Sequence, residues 1–506
     1  MKRKLMGVML ATSMVAGLCA CGAESSTATT QTESATTAAT EQTQKAETTE
    51  QTVATTEEAV TVEKPDSITW WTHSGLNEED YVKEWDAKFT ELTGVNLEHT
   101  QVSNNEYYEL LEIAFASGTE PNVFDLSADS KMAYYASQGG IADLTDLVKS
   151  SGIYDKVSPE VWESVSVNGR IYGIPGEMPS GAITYVRGDW LEQLGMEAPT
   201  NYDEYLDMLR AFKNDIPECK IPLTVPGLTN AQNLPEFYQG ATADFTMKDG
   251  KWVDGMQQEE MVGAMQRLAD AYAEGLIDME AVTNTTSACR DKWYSGEVGV
   301  FNYWAGKWGN TLDLRLKENF PEAEALGIDA IEETYYRYAG FNAYCISGRL
   351  SEEEVAQVFT YFLSFVFDGA EGQRFFYGGV DGLHSNVDAN GAMTYAKMKS
   401  NPENSFQSVW ATPWLAVVPF DEPEKMPQPE ERVTSTLATL SKTGTYKPTM
   451  PVSETYNMIV SDLIATREEV IAKIVMGKVS VEEGLAEYKQ KATGLGVDQV
   501  LEEMNK

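Results

Sequence analysis

The sequence predicts an α/β fold that is divided into two lobes. Strand and helix patterns alternate as β-α-β-α-β between residues 67 and 126, and a similar alternation starts again after Gly188. This order favours a mostly parallel sheet covered by helices. Residues 65–506 have the composition of a globular protein and are too many for one ordinary hydrophobic core. We therefore expect two lobes behind a different N-terminal region.

The chain begins with the features of an export signal. Lys-Arg-Lys at positions 2–4 precedes an apolar run at 5–18, which is too short to span a bilayer but typical of a signal peptide. The sequence Leu-Cys-Ala-Cys at 18–21 resembles the lipobox of bacterial lipoproteins. We expect residues 1–20 to be removed as a lipoprotein signal peptide and Cys21 to receive lipid. An ordinary secretory signal with a chance pair of cysteines is the alternative.

Residues 21–64 consist mainly of Thr, Ser, Ala, Gln and Glu. Such a segment buries too little apolar surface to offset the entropy lost on ordering, so we expect a disordered tether. The tether would place the folded body, residues 65–506, on the extracellular face of the cell membrane.

Composition excludes several classes of function. The formal net charge of −40 and the absence of a Lys/Arg cluster argue against nucleic-acid binding. The three cysteines of the body, Cys219, Cys289 and Cys345, lie far apart and show no metal-ligand spacing. We expect no disulfide framework, no cofactor and no metal, and a monomer that contacts the membrane through its lipid anchor only.

The first lobe is predicted from two strand-helix pairs and a third strand. Residues 67–71 and 95–102 show strand patterns, and 123–126 is a short apolar strand. The helix between the first two strands is expected to end at Gly94, and the next helix at Gly118. Their apolar faces are formed by Tyr81, Trp85, Phe89 and Leu92, and by Tyr108, Leu111 and Phe115.

Capping-box patterns predict where helices start in the second part of the chain. Thr200 with Asp203 resembles a capping box for a helix that runs to about Lys213. Another amphipathic helix is expected to end at Gly275. Two further capping boxes, Ser351 with Glu354 and Ser480 with Glu483, predict a long helix through Val366 and a helix near the C-terminus.

Five segments carry a resemblance to a known family. Asn-Gly-Arg-Ile-Tyr-Gly-Ile-Pro at 168–175 and Tyr-Val-Arg-Gly-Asp-Trp-Leu at 185–191 are similar to the signature of bacterial extracellular solute-binding proteins of the sugar type. Segments 275–278, 292–299 and 368–373 follow in the order of that family.

The resemblance implies a two-lobed, hinged receptor with the periplasmic-binding-protein-like fold, class II type. It implies a protein that closes on a carbohydrate, and by chain length an oligosaccharide, and delivers it to the permease of an ABC transporter without catalysis. Lobe 1 would comprise about 65–175 and a later returning segment, and lobe 2 about 185–335 and the C-terminal helices. The Gly- and Pro-rich stretch within 170–185 would cross between the lobes, although an ordinary surface loop has the same composition.

Two segments were candidates for calcium. Many oligosaccharide-binding relatives carry a calcium loop where this chain has residues 214–220, but the alternating carboxylates of that loop are missing here. Asn386–Gly391 resembles half of an EF-hand loop, but its twelfth position is Lys397. We expect a turn there, because Asn-Gly favours tight turns.

Aromatic side chains are the first candidates for sugar contacts, because a pyranose ring has apolar faces that stack on Trp or Tyr. Trp71, His73 and Ser74 lie at the end of the first strand, where ligands of parallel sheets bind. Trp304 and Trp308 belong to a second aromatic cluster, and the family resemblance places a Trp of this loop at the cleft. Burial in the core is the alternative for each tryptophan.

Polar candidates follow from position. Asp129 comes after the strand at 123–126, Glu177 and Tyr185 flank the crossing, and His384 lies in a segment where relatives place an aromatic or His side chain. A hydrogen-bonded core histidine is an equal interpretation of His384. Arg187 is expected to form a structural ion pair.

Two other classes of protein stay open. A surface glycoside hydrolase needs two carboxylates across a cleft, and the abundance of Asp and Glu does not exclude such a pair. A peptide or metal receptor can share the fold, because a fold does not fix the ligand. The aromatic loops favour sugar over peptide, and the presence of only three histidines argues against metal.

Overall fold

The computed structural model describes residues 62–73, 79–103, 106–128, 130–228, 234–397, 412–448 and 450–506. Residues Thr61–Lys506 form one compact unit. The predictions for the signal peptide, Cys21 and almost all of the tether lie outside the described residues, as do Ser74 and Asp129. Within the described ranges, every helix is too short or too polar to serve as a membrane span.

The body is a mixed α/β structure. Its strands are β1 (Ser67–Thr72), β2 (Asn96–Gln101), β3 (Val123–Ser127), β4 (Ser166–Val167), β5 (Arg170–Ile171), β6 (Ile174–Pro175), β7 (Ala182–Arg187), β8 (Ile221–Thr224), β9 (Phe245–Lys248), β10 (Lys251–Asp254), β11 (Val298–Trp304), β12 (Ala325–Gly327), β13 (Asn342–Ile346), β14 (Ser385–Val387) and β15 (Met393–Tyr395).

Its helices cover both sheets. They are α1 (Glu79–Thr93), α2 (Tyr107–Ser117), α3 (Ser130–Ser137), α4 (Thr145–Ser150), α5 (Pro159–Ser164), α6 (Gly188–Leu194), α7 (Tyr202–Asp215), α8 (Glu260–Ala273), α9 (Thr286–Tyr294), α10 (Lys307–Asn319), α11 (Glu352–Val358), α12 (Ser364–Val366), α13 (Glu371–Gly378), α14 (Glu431–Thr443), α15 (Glu454–Val475), α16 (Val481–Leu495) and α17 (Val497–Met504).

Lobe 1 is built on a five-stranded sheet of order β2-β1-β3-β13-β6. Strand β1 is parallel to β2 and β3, as the β-α-β pattern predicts, but β13 is antiparallel to β3 and β6. The prediction of a mostly parallel sheet is therefore wrong beyond β1–β3. The physical reason is that β13 enters from the other lobe and has no helical crossover to β3 that would impose a parallel direction.

The core of lobe 1 is rich in stacked aromatic rings. Trp70 on β1 is fully buried, and its ring lies 5.5 Å from that of Trp85 on α1 and 5.1 Å from that of Phe362. Helices from two distant parts of the sequence thus cover the same face of the sheet. This packing fixes the C-terminal end of β1, which reaches the cleft between the lobes.

Lobe 2 contains a four-stranded sheet of order β12-β7-β11-β8, in which β11 is antiparallel to β7 and parallel to β8. The C-terminal helices belong to this lobe. Leu463 on α15 and Tyr488 on α16 are fully buried in the same core as Met261 on α8. The last part of the chain therefore stabilises lobe 2.

Three segments connect the lobes and lie side by side. The first, 176–181, joins β6 to β7; the second, 328–341, joins β12 to β13; the third, 416–430, leads from the lobe 1 core to α14. The Met178 amide donates to the Leu415 carbonyl at 2.6 Å, and the Ala339 amide donates to the Ser180 carbonyl at 2.8 Å.

The contact between the first two crossing segments requires a glycine. A Cβ atom built on Gly181 would lie 2.1 Å from the carbonyl oxygen of Arg337, which is closer than any side chain tolerates. Glycine at this position thus lets the two backbones touch where the chain passes between lobes.

Local helix signals give mixed outcomes. Ser351 and Ser480 form the two expected capping boxes with Glu354 and Glu483, which confirms both helix starts. The third box is wrong by one residue. Asn201 caps α7 by accepting from the Glu204 amide, while the Thr200 hydroxyl donates to the Glu204 carboxylate.

The expected long helix after Ser351 is interrupted. Residues Phe359–Leu363 form a π-helical turn between α11 and α12. Phe359, Phe362 and Val366 are nevertheless all buried, so the apolar face continues through this turn.

The turn expected near Asn390 is confirmed. Strands β14 and β15 form an antiparallel hairpin. The Asp388 side chain closes its turn by accepting from the amides of Asn390 and Ala392, at 2.8 and 2.9 Å. Gly391 adopts a φ of 81°, which only glycine adopts readily.

Candidate functional site

A cavity of about 290 Å³ lies where the crossing segments meet the ends of both sheets. Lobe 1 contributes the ends of β1, β3 and β13, lobe 2 contributes the end of β11, and the crossing segments form the remaining wall. The lining residues are Thr72, His73, Asp125, Asn342 and Tyr344 from lobe 1, Trp304 from lobe 2, Gly176, Glu177, Met178, Pro179, Ser180, Ala339 and Gly340 from the first two crossing segments, and Leu415, which directly precedes the third.

A histidine-carboxylate pair lies on the lobe 1 side. Nε2 of His73 is 2.5 Å from Oδ2 of Asp125. The hydroxyl of Tyr107 donates to the Asp125 carbonyl at 2.9 Å, and the Tyr107 ring lies 4.5 Å from the imidazole of His73. Burial raises the pKa of Tyr107 well above its usual value, so this hydroxyl stays protonated. The pair is thus held on a buried tyrosine.

The Thr72 hydroxyl is oriented from behind by a histidine. Its Oγ1 lies 2.8 Å from Nε2 of His99, and Nδ1 of His99 lies 3.0 Å from the Asp86 carboxylate. An ionised carboxylate only accepts, so Nδ1 of His99 carries a proton toward Asp86; in the neutral tautomer with that proton, Nε2 accepts from Thr72. The remaining lone pairs of the Thr72 oxygen then serve as hydrogen-bond acceptors.

Glu177 supplies a second carboxylate from the first crossing segment. It is half-buried and accepts a hydrogen bond from the backbone amide of Thr412. Burial raises the pKa of Glu177, while that hydrogen bond and the charge of Lys307 oppose the shift. Desolvation lowers the pKa of Lys307 in turn, against the attraction of Glu177 and Glu430.

Trp304 is the aromatic side chain that lobe 2 contributes to the cavity. It is the last residue of β11, its side chain is 40 % exposed, and its backbone pairs with Ala182 on β7. The hydroxyl of the fully buried Tyr185 donates to its carbonyl at 3.0 Å. A large apolar ring is therefore held at the cleft by a rigid sheet end.

The structure brings three of the residues expected to bind ligand into this cavity, namely His73, Glu177 and Trp304. Trp71 and Trp308 lie outside its lining. Trp71 is partly buried against the lobe 1 core, and Trp308 is 40 % exposed on α10, where the guanidinium of Arg290 lies 5.0 Å from its ring.

Tyr185 and His384 have no exposed surface, so in this conformation neither side chain can touch a ligand. For His384, Nδ1 accepts from the Val380 amide at 2.9 Å, and Nε2 lies 3.1 Å from the Tyr81 carbonyl. Burial lowers the pKa of His384 to about 4. The position of His384 is that of a hydrogen-bonded core histidine. Tyr185 contacts the site through the backbone of Trp304.

Arg187 forms the expected structural ion pair. It is buried, and its guanidinium lies 2.6 Å from the Asp189 carboxylate and 4.2 Å from the ring of Trp190. It therefore stabilises the start of α6 in lobe 2.

Sequence reasoning missed Thr72, Asp125, Asn342 and Tyr344. A signal was present for Asp125, since it is a carboxylate within the buried strand Val-Phe-Asp-Leu at 123–126, and a buried charge calls for a reason. Thr72 lies at the end of β1, whereas Asn342 and Tyr344 belong to β13, which only its antiparallel return brings beside β3.

The arrangement combines one flat apolar ring with several oxygen atoms around it. Among the described residues, no group of three or more His, Cys, Asp or Glu side chains is placed to hold a metal ion. The cavity can bind a ring with apolar faces and a polar rim, and the two lobes contribute different parts of the contact.

Comparison with known proteins identifies the family. The model of the bacterial extracellular solute-binding protein family matches residues 75–329. Among curated Bacillus subtilis (strain 168) proteins, Lipoprotein LipO is 25% identical over 221 residues, which covers 41% of this chain and 44% of the relative. The polygalacturonan/rhamnogalacturonan-binding protein YtcQ is 23% identical over 221 residues, with 42% and 44% covered. The matches thus span less than half the length of these relatives.

A solved structure shares the fold. The HMO-binding, ABC-transporter-associated solute-binding protein from Bifidobacterium longum infantis ATCC 15697 is 17% identical, with a TM-score of 0.68 that covers 87% of this chain and 98% of the other. The α/β architecture with two sheets is therefore the two-lobed architecture of that protein. By its match over residues 75–329, this chain belongs to the bacterial extracellular solute-binding protein family.

Proposed function

We propose that this protein captures a carbohydrate, most simply an oligosaccharide, between its lobes and delivers it to the permease of an ABC transporter. The observation that carries the proposal is the placement of Trp304 from lobe 2 and Asp125, His73 and Thr72 from lobe 1 around one cavity. Stacking on the ring and hydrogen bonds to the oxygens match the two faces and the rim of a sugar. The names of the polygalacturonan-binding relative and the ABC-transporter-associated structure support the same class.

Binding is proposed to close the hinge. A ligand shifts a conformational equilibrium only by its difference in affinity for the two states. A sugar bound to lobe 1 gains the Trp304 contact when lobe 2 approaches, so the closed state binds it more tightly. The side-by-side crossing segments around Gly181 and Glu177 are where such a rotation is absorbed. The permease would then recognise the closed form.

We also propose that the mature protein is a monomer anchored by lipid at Cys21 on the extracellular face of the cell membrane. The lipobox-like sequence at 18–21 and the similarity to Lipoprotein LipO support this. Replacing Cys21 with Ser should abolish incorporation of labelled palmitate and move the protein from the membrane fraction to the medium. Retention of both label and membrane association in the variant would contradict the anchor.

Catalysis is not part of the proposal. Asp125 is bound to His73, and Glu177 accepts from the Thr412 amide, so each carboxylate has a structural partner in the cavity. A surface glycoside hydrolase remains the second candidate because two carboxylates do line one cleft. Product analysis distinguishes the two, since a hydrolase shortens the bound oligosaccharide and a receptor returns it unchanged.

A thermal-shift screen of the purified protein tests the function. Mono- and oligosaccharides, peptides and divalent cations are compared at equal concentrations, because a ligand that binds only the folded state raises the melting temperature. We expect a rise with a sugar and no new product after incubation. A rise in melting temperature with peptides or cations, and none with any sugar, would overturn the proposal.

A further inference from the structure

We propose that the sugar ring bound in the cavity is uncharged and that the site rejects uronic acids. This inference rests on the proposed function and specifies its ligand class. It is carried by the charge and the hydrogen-bonding sense of the side chains that line the cavity.

The charge of the cavity lining disfavours an acidic sugar. Among the described lining residues, the ionisable acids are Asp125 and Glu177, and neither Lys nor Arg is present. The basic side chain of the lining, His73, is already bound to Asp125. A uronate carboxylate placed against Trp304 would therefore meet two carboxylates, and no Lys or Arg of the described lining would offset their charge. Like charges in an enclosed cleft repel more strongly than in bulk water.

The charge of Lys307, which acts on Glu177, does not reverse this balance. Lys307 starts α10, outside the cavity lining, and its charge already interacts with Glu177 and Glu430. Lys307 is exposed, and desolvation lowers its pKa, so its surroundings favour the charged form less than water does. It offsets part of the Glu177 charge, whereas the partner of Asp125 within the described lining is His73.

The donor and acceptor character of the lining residues also favours a neutral sugar. Carboxylate oxygens of Asp125 and Glu177 accept, and the Thr72 oxygen also accepts when its hydroxyl donates to Nε2 of His99. Sugar hydroxyl groups donate to such acceptors. A uronate carboxylate only accepts, so replacing a hydroxymethyl group by a carboxylate removes the hydrogen that these acceptors would bind.

A preference for neutral sugars would distinguish this chain from one of its relatives. The name of YtcQ includes polygalacturonan, a polymer of uronic acid units. Family membership alone would therefore allow an acidic ligand here, whereas the cavity of this chain favours a neutral one.

Matched sugar pairs test the inference. Neutral malto-, cello-, manno- and galacto-oligosaccharides are titrated calorimetrically against their C6-oxidised counterparts, which differ only by CH2OH replaced with COO⁻; neutral xylo- and fructo-oligosaccharides and trigalacturonate complete the panel. We expect every uronate-containing sugar to bind at least tenfold more weakly than the best neutral sugar. The difference should shrink as salt rises from 10 to 300 mM, because salt screens the repulsion.

The variant Glu177→Gln isolates the cavity charge. Its amide oxygen can still accept from the Thr412 amide, so the crossing segment keeps its hydrogen bond. We expect the ratio of neutral to oxidised affinities to fall at least threefold. Glu109→Gln, an exposed carboxylate on α2, removes the same unit of charge outside the cavity and should leave the ratio unchanged.

Each outcome decides a different claim. A uronate-containing sugar that binds within tenfold of the best neutral sugar, or a ratio unaffected by Glu177→Gln, would overturn the inference and leave the carbohydrate receptor intact. Silence from every neutral and acidic sugar would remove the proposed function and the inference together.

Discussion

The hydroxyl of Tyr185 donates to the carbonyl of Trp304 at 3.0 Å, across the β7–β11 pair of lobe 2. Tyr185 is fully buried, and Trp304 is 40 % exposed at the end of its strand. Neighbouring residues of one sheet thus divide their roles, since one belongs to the core and positions the backbone of the other. The backbone of Trp304 is therefore fixed by the sheet, which holds its aromatic ring at the cleft.

Replacing Trp304 with Ala should weaken sugar binding by roughly 1–3 kcal/mol, because a stacking surface at the cleft is lost. The melting temperature without ligand should change little, since the side chain is not a core element. Calorimetric titration and a thermal scan measure the two effects. Trp308→Ala is the matched control, because this tryptophan is equally exposed but lies outside the cavity lining. Equal losses of affinity in both variants would contradict the site.

Replacing Gly181 with Ala should lower the stability of the body by about 1–3 kcal/mol, because the added methyl group collides with the Arg337 carbonyl. The crossing segments would have to separate, so sugar affinity should also fall. Gly152→Ala is the control, since a Cβ atom there meets nothing within 4 Å. Thermal midpoints and affinities of the two variants provide the test, and an unaffected Gly181→Ala protein would show that the two segments need not touch.

A buried carboxyl group should make the stability of lobe 2 depend on pH. Glu236 is fully buried, and its side-chain oxygens have no hydrogen-bond partner among the described residues. Burial raises the pKa of Glu236 from 4.5 to about 7. The folded state therefore holds this proton more tightly than the unfolded state, and stability falls as pH rises from about 4.5 to about 7.

The variant Glu236→Gln measures this contribution, because an amide does not ionise. Relative to the parent protein, its free energy of unfolding should rise between pH 4.5 and 7 and level off at a gain of about 3 kcal/mol, from 1.36 kcal/mol per pKa unit. Thermal or urea unfolding at several pH values follows the difference. A difference that stays constant with pH would show that Glu236 titrates normally in the folded protein.

Replacing His384 with Ala should destabilise lobe 1 by about 1–3 kcal/mol, because the Val380 amide and the Tyr81 carbonyl lose their buried partner. Affinity for a sugar should remain within about twofold, since the imidazole is sealed inside the core. A thermal scan and a titration on the same sample distinguish the roles. Loss of sugar binding with an unchanged melting temperature would contradict the core role and show that His384 belongs to the binding site.

Sequence reasoning succeeded where the deciding interactions are local. The capping boxes at Ser351 and Ser480 involve residues three positions apart, and Gly118 ends α2 in the left-handed conformation that favours glycine. The boundary at Thr200 failed by one residue because both Thr200 and Asn201 can cap a helix, and a bond from Thr200 to Glu204 decides between them.

The site was predictable only in part, because long-range packing determines it. Trp304 was found from its aromatic cluster and Glu177 from its place in a Gly- and Pro-rich crossing. His384 contacts Tyr81, which lies on a helix 303 positions earlier in the sequence. No local sequence pattern indicates a contact between residues so far apart in the chain. The pairing of Tyr344 with Asp125 likewise depends on a strand that returns from the other lobe.

The most direct test is a crystal structure of the protein with the sugar that gives the largest thermal shift. The account predicts closed lobes with a sugar ring stacked on Trp304 and its hydroxyl groups hydrogen-bonded to Asp125, Thr72 and Glu177. A sugar bound elsewhere on the protein, or a cleft that holds the sugar without contact to Trp304 and lobe 1 together, would contradict it.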